Sequence, residues 1–243
     1  MHKNTTIADF PAYHSYPDDG KRHPGLIVIH EIWGLDAHIK NVTDRFAAQN
    51  YSVVAPNLFH GVSFEGKIDS TLLAEMHNPD TRDEAQKKMR ALMAPIMAPE
   101  FTEGAVAKLE QCVDYLANDE RVNGELAVLG FCFGGTYSFH LAAHDARVKA
   151  AVPFYGHPPT QNEIPNINCP VLAFYGDQDA NLMQSLPQLK QDMGKLHKNF
   201  EAVVYQNAGH AFFNDTNVRM YNAGAASAAW KKTLAFLQEN LLS

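Results

Sequence analysis

Cysteine is scarce in this sequence of 243 residues, which contains only Cys112, Cys132 and Cys169. An odd number of cysteines at wide spacing does not suit the disulfide framework of a secreted domain, and it fits a reducing compartment better. The N-terminal residues 1–9 lack the apolar core of a signal peptide. We therefore expect a cytoplasmic protein without structural disulfides.

Long apolar runs and basic clusters are also missing from the chain. No apolar run approaches the roughly 20 residues that a membrane-spanning helix needs. Acidic residues number 27 and basic residues 20, which gives a formal net charge of −7. Because nucleic acids and anionic membranes attract basic patches, we expect neither as a partner. Hydrophobic residues make up 46% and charged residues 19%, a composition typical of a globular protein.

Short apolar runs alternate with helical patterns along most of the sequence. Strands are predicted at residues 26–29, 51–55, 126–129, 148–155, 171–176 and 200–205, and residues 12–16 are compatible with an edge strand. Residues 57–82 are predicted as a long excursion between elements. Continuous apolar runs are typical of strands that are buried on both faces of a parallel sheet. The sequence therefore predicts one α/β domain over residues 1–243, with a mostly parallel central sheet and helices on both faces.

The segment Gly-Phe-Cys-Phe-Gly-Gly, residues 130–135, lies between a predicted strand and a predicted helix. A Gly-x-Cys-x-Gly pattern in this position is typical of a nucleophile elbow, with cysteine where serine is commoner. The alternative interpretation of Cys132 is a buried structural cysteine. The flanking glycines favour the elbow, because they allow the strand and the helix to approach closely.

An acid and a histidine follow the elbow in the order that α/β-hydrolases use. Asp177 and Asp179 come directly after one predicted strand, and His210 comes after the next. Nucleophile, acid and histidine in this order predict an α/β-hydrolase fold. Both aspartates are candidates for the acid that orients the histidine, and Asp179 fits the family pattern described below. A surface or capping role is the alternative for His210.

Acyl transfer also requires hydrogen-bond donors for the oxygen that becomes negatively charged. The N–H group of Phe133, the residue after the nucleophile, is the expected first donor. The second usually comes from the loop after an early strand, and Ile32 N–H is the candidate there. Glu31 would then lie close to Cys132, and a buried carboxylate is costly unless it has a role. The alternative for Glu31 is an ion pair with a surface arginine or lysine.

These segments resemble the dienelactone hydrolases, or carboxymethylenebutenolidases. The resemblance covers nearly the whole chain and rests on four motifs: His30-Glu-Ile-Trp-Gly-Leu35, Gly130-Phe-Cys-Phe-Gly-Gly135, Tyr175-Gly-Asp-Gln-Asp179 and Ala208-Gly-His-Ala-Phe212. A cysteine elbow together with Glu-Ile-Trp-Gly is much more specific than either alone. Trp33 and Tyr155 lie where this family places the aromatic walls of its pocket.

The resemblance implies a catalytic triad of Cys132, His210 and Asp179. It also implies that Glu31 contacts the thiol and helps to generate the thiolate when substrate arrives. The family opens the lactone ring of dienelactones without a metal or cofactor, and we expect this protein to cleave an ester or lactone through a thioester on Cys132. Members of the family are usually monomers, and a dimer is the alternative here.

The sequence departs from the family pattern where substrate is recognised. Typical members hold the substrate carboxylate with two arginines. This chain has Lys87 in the segment that resembles the first of these sites, and Asn214 at the second. Lysine supplies a point charge but not the two-pronged hydrogen bonding of arginine. Alternative cations for the same role are Arg82, Arg90 and Arg219.

Two rival functions remain at the level of sequence. One keeps the hydrolytic residues and changes the substrate, giving a carboxylesterase or thioesterase for another small ester. The other is a redox-sensing thiol on a hydrolase scaffold, which needs only an exposed and reactive cysteine. His140 and His144 have a spacing compatible with metal binding, but no third ligand lies nearby in sequence, so we expect no metal.

Overall fold

The computed structural model describes residues 1–62, 71, 72, 75, 78 and 80–242. Its central sheet is built from β1 (His2–Ile7), β2 (Phe10–Ser15), β3 (His23–Ile29), β4 (Ser52–Pro56), β5 (Val122–Phe131), β6 (Val148–Phe154), β7 (Val171–Gly176) and β8 (Phe200–Tyr205). The eight strands lie in the order β1-β2-β4-β3-β5-β6-β7-β8. This order, with helices along its flanks, is an α/β-hydrolase fold, as the sequence predicted.

Strands β3 to β8 run parallel to one another, whereas β2 pairs antiparallel with both β1 and β4 at one edge of the sheet. All residues of β3, β4 and β7 are buried. Burial on both faces explains why these strands read as continuous apolar runs rather than as alternating patterns. The mostly parallel sheet that the sequence predicted is therefore confirmed.

The helices flank this sheet in layers. They are α1 (Ala37–Ala47), α2 (Arg82–Met93), α3 (Pro99–Ala117), α4 (Phe133–His144), α5 (Ala180–Lys195) and α6 (Ala223–Leu241). Helices α1 and α6 meet through the rings of Phe46 and Trp230, 4.4 Å apart. Helices α3 and α4 meet where Tyr137 Oη donates to Thr102 Oγ1 at 3.2 Å. Within the described ranges, no helix is both long and apolar enough to cross a bilayer.

Helix α1 shows how local sequence sets these elements. Asp36 precedes the helix in an extended conformation, and its carboxylate accepts a hydrogen bond from Ile39 N–H at 2.9 Å. This cap satisfies one of the backbone donors that the first turn leaves free. Ile39, Val42 and Phe46 then recur at helical spacing and are buried against the sheet.

The register of the strands brings the ends of distant segments to one edge of the sheet. Ile29 at the end of β3 pairs with Gly130 in β5. Phe131 at the end of β5 pairs with Phe154 of β6. Gly176 at the end of β7 pairs with Tyr205 of β8. Because the carboxyl ends of parallel strands share an edge, the loops that follow them converge there.

The N-terminal region differs from the sequence-based expectation. The sequence was compatible with an edge strand at residues 12–16, but β1 occupies the edge and β2 lies inside it. Strand β1 is mostly exposed, so it carries no apolar run that would reveal it. Half of the long excursion predicted between residues 57 and 82, namely residues 63–70, 73, 74, 76, 77 and 79, lies outside the described residues.

Candidate active site

Cys132 occupies a sharp turn between β5 and α4. Its backbone has a φ of 55°, a conformation that costs energy for any residue with a side chain. The turn is held by a hydrogen bond from Cys132 N–H to Phe154 O at 3.0 Å. The structure therefore forms the strand-turn-helix geometry that a nucleophile elbow requires.

The glycines after Cys132 allow α4 to lie directly on the strand ends. A Cβ atom on Gly134 would lie 2.3 Å from Ile29 O, and one on Gly135 would lie 2.4 Å from Phe154 O. Both distances are far below a normal van der Waals contact, and both neighbours are backbone atoms. The elbow therefore excludes side chains at these two positions.

His210 and Asp179 come together from the loops after β8 and β7. His210 Nδ1 lies 2.5 Å from Asp179 Oδ2. Asp179 also caps α5, because its Oδ1 accepts from Leu182 N–H at 3.4 Å. Among the described residues, Asp177 has a buried carboxyl oxygen without a hydrogen-bond partner. Of the two candidate acids, the structure thus places Asp179 against the histidine.

The imidazole of His210 lies between Asp179 and the Cys132 thiol. Burial lowers the pKa of His210, but hydrogen bonds to Asp179 and Cys132, with the charges of both groups, raise it above its ordinary value of 6.5. Burial likewise raises the pKa of Asp179, and the hydrogen bond and charge of His210 bring it below its ordinary value. The three side chains form a continuous hydrogen-bonded line at the elbow.

Glu31 is buried beside this line, with a relative exposure of 2%. Its Oε1 accepts from Tyr155 Oη at 3.1 Å, and its Oε2 accepts from Asn214 Nδ2 at 2.5 Å. Burial raises the pKa of Glu31, although the hydrogen bonds from Asn214 and Tyr155 and the nearby His38 act in the opposite direction. The carboxylate is therefore held by two neutral donors.

The contact between Glu31 and the thiol stays a prediction, because the hydrogen bonds of the carboxylate go to Tyr155 and Asn214. In the described part of the chain, no hydrogen bond joins the Glu31 carboxylate to the Cys132 sulfur. The sulfur is turned towards His210 instead. The alternative of a surface ion pair is wrong, since the partners of Glu31 are a phenol and an amide.

The aromatic residues expected to line the pocket take different positions. Trp33 is partly exposed in the turn that follows Glu31. Tyr155 is 0% exposed, has a φ of 38°, and packs its ring 5.1 Å from that of His210. Its role as a pocket wall stays a prediction; in this structure its ring is covered and its hydroxyl donates to Glu31.

Lys87 does not join the site either. Its ammonium lies 2.7 Å from Glu84 Oε1, and its side chain is 64% exposed. In the regions that the structure describes, no ion pair or hydrogen bond links Lys87 to another candidate residue. The alternative cations Arg82, Arg90 and Arg219 are exposed as well. The expectation that Lys87 binds substrate is therefore not supported by its position.

Two backbone N–H groups remain available beside Cys132. Cys132 N–H and Gly134 N–H are used, by Phe154 O at 3.0 Å and by His30 O at 3.1 Å. No acceptor within the described residues takes the N–H of Phe133 or of Ile32. These are the two groups that the sequence predicted as oxyanion donors.

Sequence reasoning missed the neutral partners of Glu31, which are Tyr155 and Asn214. Asn214 entered the sequence argument only as a missing arginine, although it is buried and bonds to Glu31 at 2.5 Å. The sequence feature that could have placed Asn214 near the site was its position four residues after His210 in the same loop. The two histidines at helical spacing, His140 and His144, lie against one carboxylate. His140 Nδ1 is 2.5 Å and His144 Nε2 is 3.5 Å from Glu163 Oε1.

Comparisons with known proteins agree with this geometry. The model of the Dienelactone hydrolase family matches residues 10–241. A Saccharolobus solfataricus protein named as a candidate carboxymethylenebutenolidase is 30% identical over 246 residues, with 95% of this chain and 94% of the relative covered. A similarly named protein of Escherichia coli K12 is 28% identical over 244 residues, with 95% of this chain and 83% of the relative covered.

Solved structures give the same result. A candidate dienelactone hydrolase from Klebsiella pneumoniae superposes with a TM-score of 0.83 at 26% identity, and the match covers 98% of each chain. The family match extends over nearly the whole sequence and includes every motif that builds the site. This chain therefore belongs to the dienelactone hydrolase family and is a carboxylic ester hydrolase.

Proposed function

We propose that this protein hydrolyses ester or lactone bonds through a thioester on Cys132. The observation that carries the proposal is the line from Asp179 through His210 to Cys132 at a strained turn. A thiol with an ordinary pKa near 8.5 is mostly protonated at neutral pH, so it needs a neighbouring base. His210 is in position to take that proton.

The first half of the reaction forms the acyl-enzyme. Cys132 transfers its proton to His210, and the thiolate attacks the carbonyl carbon of the substrate. The carbonyl oxygen becomes an oxyanion, and the N–H groups of Ile32 and Phe133 donate to it. The intermediate then collapses, the bond to the leaving alkoxide breaks, and the imidazolium of His210 protonates that alkoxide. An alcohol leaves, or a lactone ring opens, and a thioester remains.

The second half returns the enzyme to its starting state. His210 takes a proton from water, and the hydroxide that forms attacks the thioester carbonyl. The same two N–H groups stabilise the second oxyanion. The carbon–sulfur bond then breaks, His210 returns its proton to the sulfur, and the carboxylic acid leaves. Asp179 holds the imidazole in orientation throughout and stabilises its positive form.

Glu31 acts in this proposal as a buried support and not as a base for the thiol. Its carboxylate is bound to Tyr155 and Asn214, which anchors the turn that carries Ile32 N–H. Removing one partner of a buried carboxylate costs more than the hydrogen bond itself, because the charge stays desolvated. The turn is thereby fixed next to the elbow.

A neutral ester is the substrate that these contacts favour over a carboxylate-bearing lactone. Asn214, which stands where the resemblance implies an arginine, is neutral and already bonded to Glu31. Lys87 is paired with Glu84 on an exposed face. A substrate carboxylate beside Glu31 would meet a like charge, and neither Asn214 nor Lys87 supplies the positive charge of the arginines that the resemblance implies. We expect a higher kcat/KM for a neutral aryl acetate than for the matching aryl hemisuccinate, and equal values would contradict this preference.

A test of the nucleophile uses hydrolysis of 4-nitrophenyl acetate and mass spectrometry of the acylated enzyme. We expect Cys132→Ala to abolish turnover and acetylation, and iodoacetamide to inactivate the native protein. Cys169→Ala is the matched control, because burial raises the pKa of that thiol to about 11 and keeps it unreactive. Full activity in Cys132→Ala would exclude the proposed nucleophile. A native protein that is oxidised readily but hydrolyses no ester would favour a redox sensor.

A further inference from the structure

His30 lies at the end of β3, completely buried between the elbow and the start of the turn that carries Glu31. Its Nδ1 lies 2.6 Å from Glu31 O, and its Nε2 accepts from Leu58 N–H at 3.1 Å. The imidazole stacks on the ring of Phe133 at 5.7 Å, with an angle of 9° between the planes. No step of the proposed reaction uses this ring.

The hydrogen bonds of His30 define its tautomer. Leu58 N–H is a donor, so Nε2 must carry the lone pair and Nδ1 must carry the proton. Nδ1–H therefore donates to Glu31 O. Burial lowers the pKa of His30 to about 4, so the ring is neutral at physiological pH and keeps this arrangement.

The bond to Glu31 O determines where the next N–H points. The C=O of Glu31 and the N–H of Ile32 belong to one peptide group, and the chain has no cis peptide bond among its described residues. In a planar trans peptide these two bonds point in opposite directions. Because the carbonyl faces the His30 ring, the Ile32 N–H faces away from it, and no protein acceptor among the described residues takes it.

The backbone of His30 supports the other donor. Its carbonyl accepts from Gly134 N–H at 3.1 Å, which ties the first turn of α4 to the end of β3. Phe133, whose N–H is the second proposed oxyanion donor, lies between Cys132 and Gly134 and stacks its ring on His30. One residue thus contacts the segments that carry both proposed donors.

We propose that His30 is a positioning residue for oxyanion stabilisation, whose Nδ1–H holds the Glu31–Ile32 peptide so that Ile32 N–H faces the acyl carbonyl on Cys132. The inference rests on the proposed acyl-transfer function. The competing explanation is that His30 only fills the core between Phe59 and Phe133, whose rings it contacts at 4.5 and 5.7 Å. A core role would require the shape of the ring but not its Nδ1 proton.

Two amide substitutions separate these explanations. In His30→Asn the side-chain amide nitrogen takes the place of Nδ1, so the donor to Glu31 O is kept and the acceptor for Leu58 is lost. In His30→Gln the amide group reaches the place of Nε2, so the acceptor is kept and the donor is lost. Both variants remove the ring, and both are therefore expected to lower the thermal midpoint to a similar extent.

We expect His30→Gln to lower kcat for 4-nitrophenyl acetate by about 100-fold with little change in KM, as for loss of one oxyanion donor. His30→Asn should lose less than about tenfold, because it keeps the donor. Alkylation of Cys132 by iodoacetamide forms no oxyanion, so its rate should be the same in both variants and in the native protein. This readout tests the thiolate and His210 independently of the oxyanion donors.

Equal kcat values in the two variants would overturn the inference and leave a core role. So would falls in kcat that are proportional to the falls in the midpoint of thermal unfolding. A parallel fall in the alkylation rate would also overturn it, because His30 would then act on the nucleophile. Failure of the proposed function has a different signature. In that case the native protein itself would form no acyl-enzyme, or Cys132→Ala would remain active.

Discussion

Tyr155 Oη donates a hydrogen bond to Glu31 Oε1 at 3.1 Å across 124 residues of sequence. The two residues come from the end of β6 and the turn after β3, and both are almost fully buried. The phenol keeps its proton, because burial and the charges of Glu31 and Cys132 raise the pKa of Tyr155 well above 10. The hydroxyl is therefore a permanent donor to a carboxylate that has lost most of its water.

Tyr155→Phe removes this donor, so Oε1 of Glu31 loses its hydrogen bond from the phenol. We expect the free energy of unfolding to fall by about 1–3 kcal/mol, measured by urea denaturation at pH 8. Tyr175→Phe is the matched control, because the buried Tyr175 hydroxyl has no hydrogen-bond partner within the described residues. Equal losses in the two variants would show that the bond to Glu31 contributes no stability of its own.

Asp179→Asn keeps the size of the side chain and removes its charge from His210. We expect kcat to fall by about 10²–10⁴-fold, because the amide no longer stabilises the imidazolium. Asp177→Asn is the control, since Asp177 lies two residues away and does not contact His210 in the described structure. A larger fall in kcat in Asp177→Asn than in Asp179→Asn would show that Asp177 is the acid that orients His210.

Glu31→Gln should change how stability depends on pH. The pKa of Glu31 is raised in the folded protein above its ordinary value of 4.5, so the folded state binds more protons than the unfolded state between these two values. Stability from this group is therefore complete below pH 4.5 and is lost as the pH rises through the raised pKa.

The glutamine side chain of the variant does not titrate, so the variant does not lose this stability as the pH rises. Its free energy of unfolding relative to that of the native protein should therefore increase from pH 4 to pH 8. Tyr155 can accept from the new amide and keep the site hydrogen-bonded. The measurement is urea denaturation of both proteins at several pH values. A stability difference that does not change with pH would show that Glu31 is not buried as a charged group.

Gly134→Ala should disrupt the elbow. Its Cβ would lie 2.3 Å from Ile29 O, so either the strand or α4 must move. We expect a loss of about 3 kcal/mol or more in the free energy of unfolding, together with loss of activity. In the control Gly104→Ala, in α3, nothing lies within 4 Å of the new Cβ, and helix propensity favours alanine by about 0.5–1 kcal/mol. Thermal unfolding of both variants checks the contrast.

Local patterns predicted most of the sheet and the order of the site residues. Strands β7 and β8 were predicted with the bounds that the structure has, because apolar runs end there at glycine-containing or polar loops. Cys132, Asp179 and His210 each follow a strand, so topology alone brings them to one edge. Strand β1 was missed because its residues are largely exposed at the edge of the sheet.

The environment of Glu31 could not be predicted from local sequence. Its partners Tyr155 and Asn214 lie 124 and 183 residues away. Which side chain reaches the carboxylate depends on how the loops fold over the strand ends, and no periodic pattern encodes this. For the same reason, local sequence did not predict that Lys87 pairs with Glu84 on an exposed face.

The bond between Asn214 and Glu31 has a consequence for the choice of substrate. Asn214 lies four residues after His210, and Glu31 directly precedes Ile32, so this single 2.5 Å contact links the loop of the proposed base to the turn of the proposed oxyanion donor. An acyl group bulky enough to displace Glu31 must strain both segments at once. If the proposed reaction is correct, we expect such an ester to have a lower kcat even where it binds, because the groups that react with it would be misaligned.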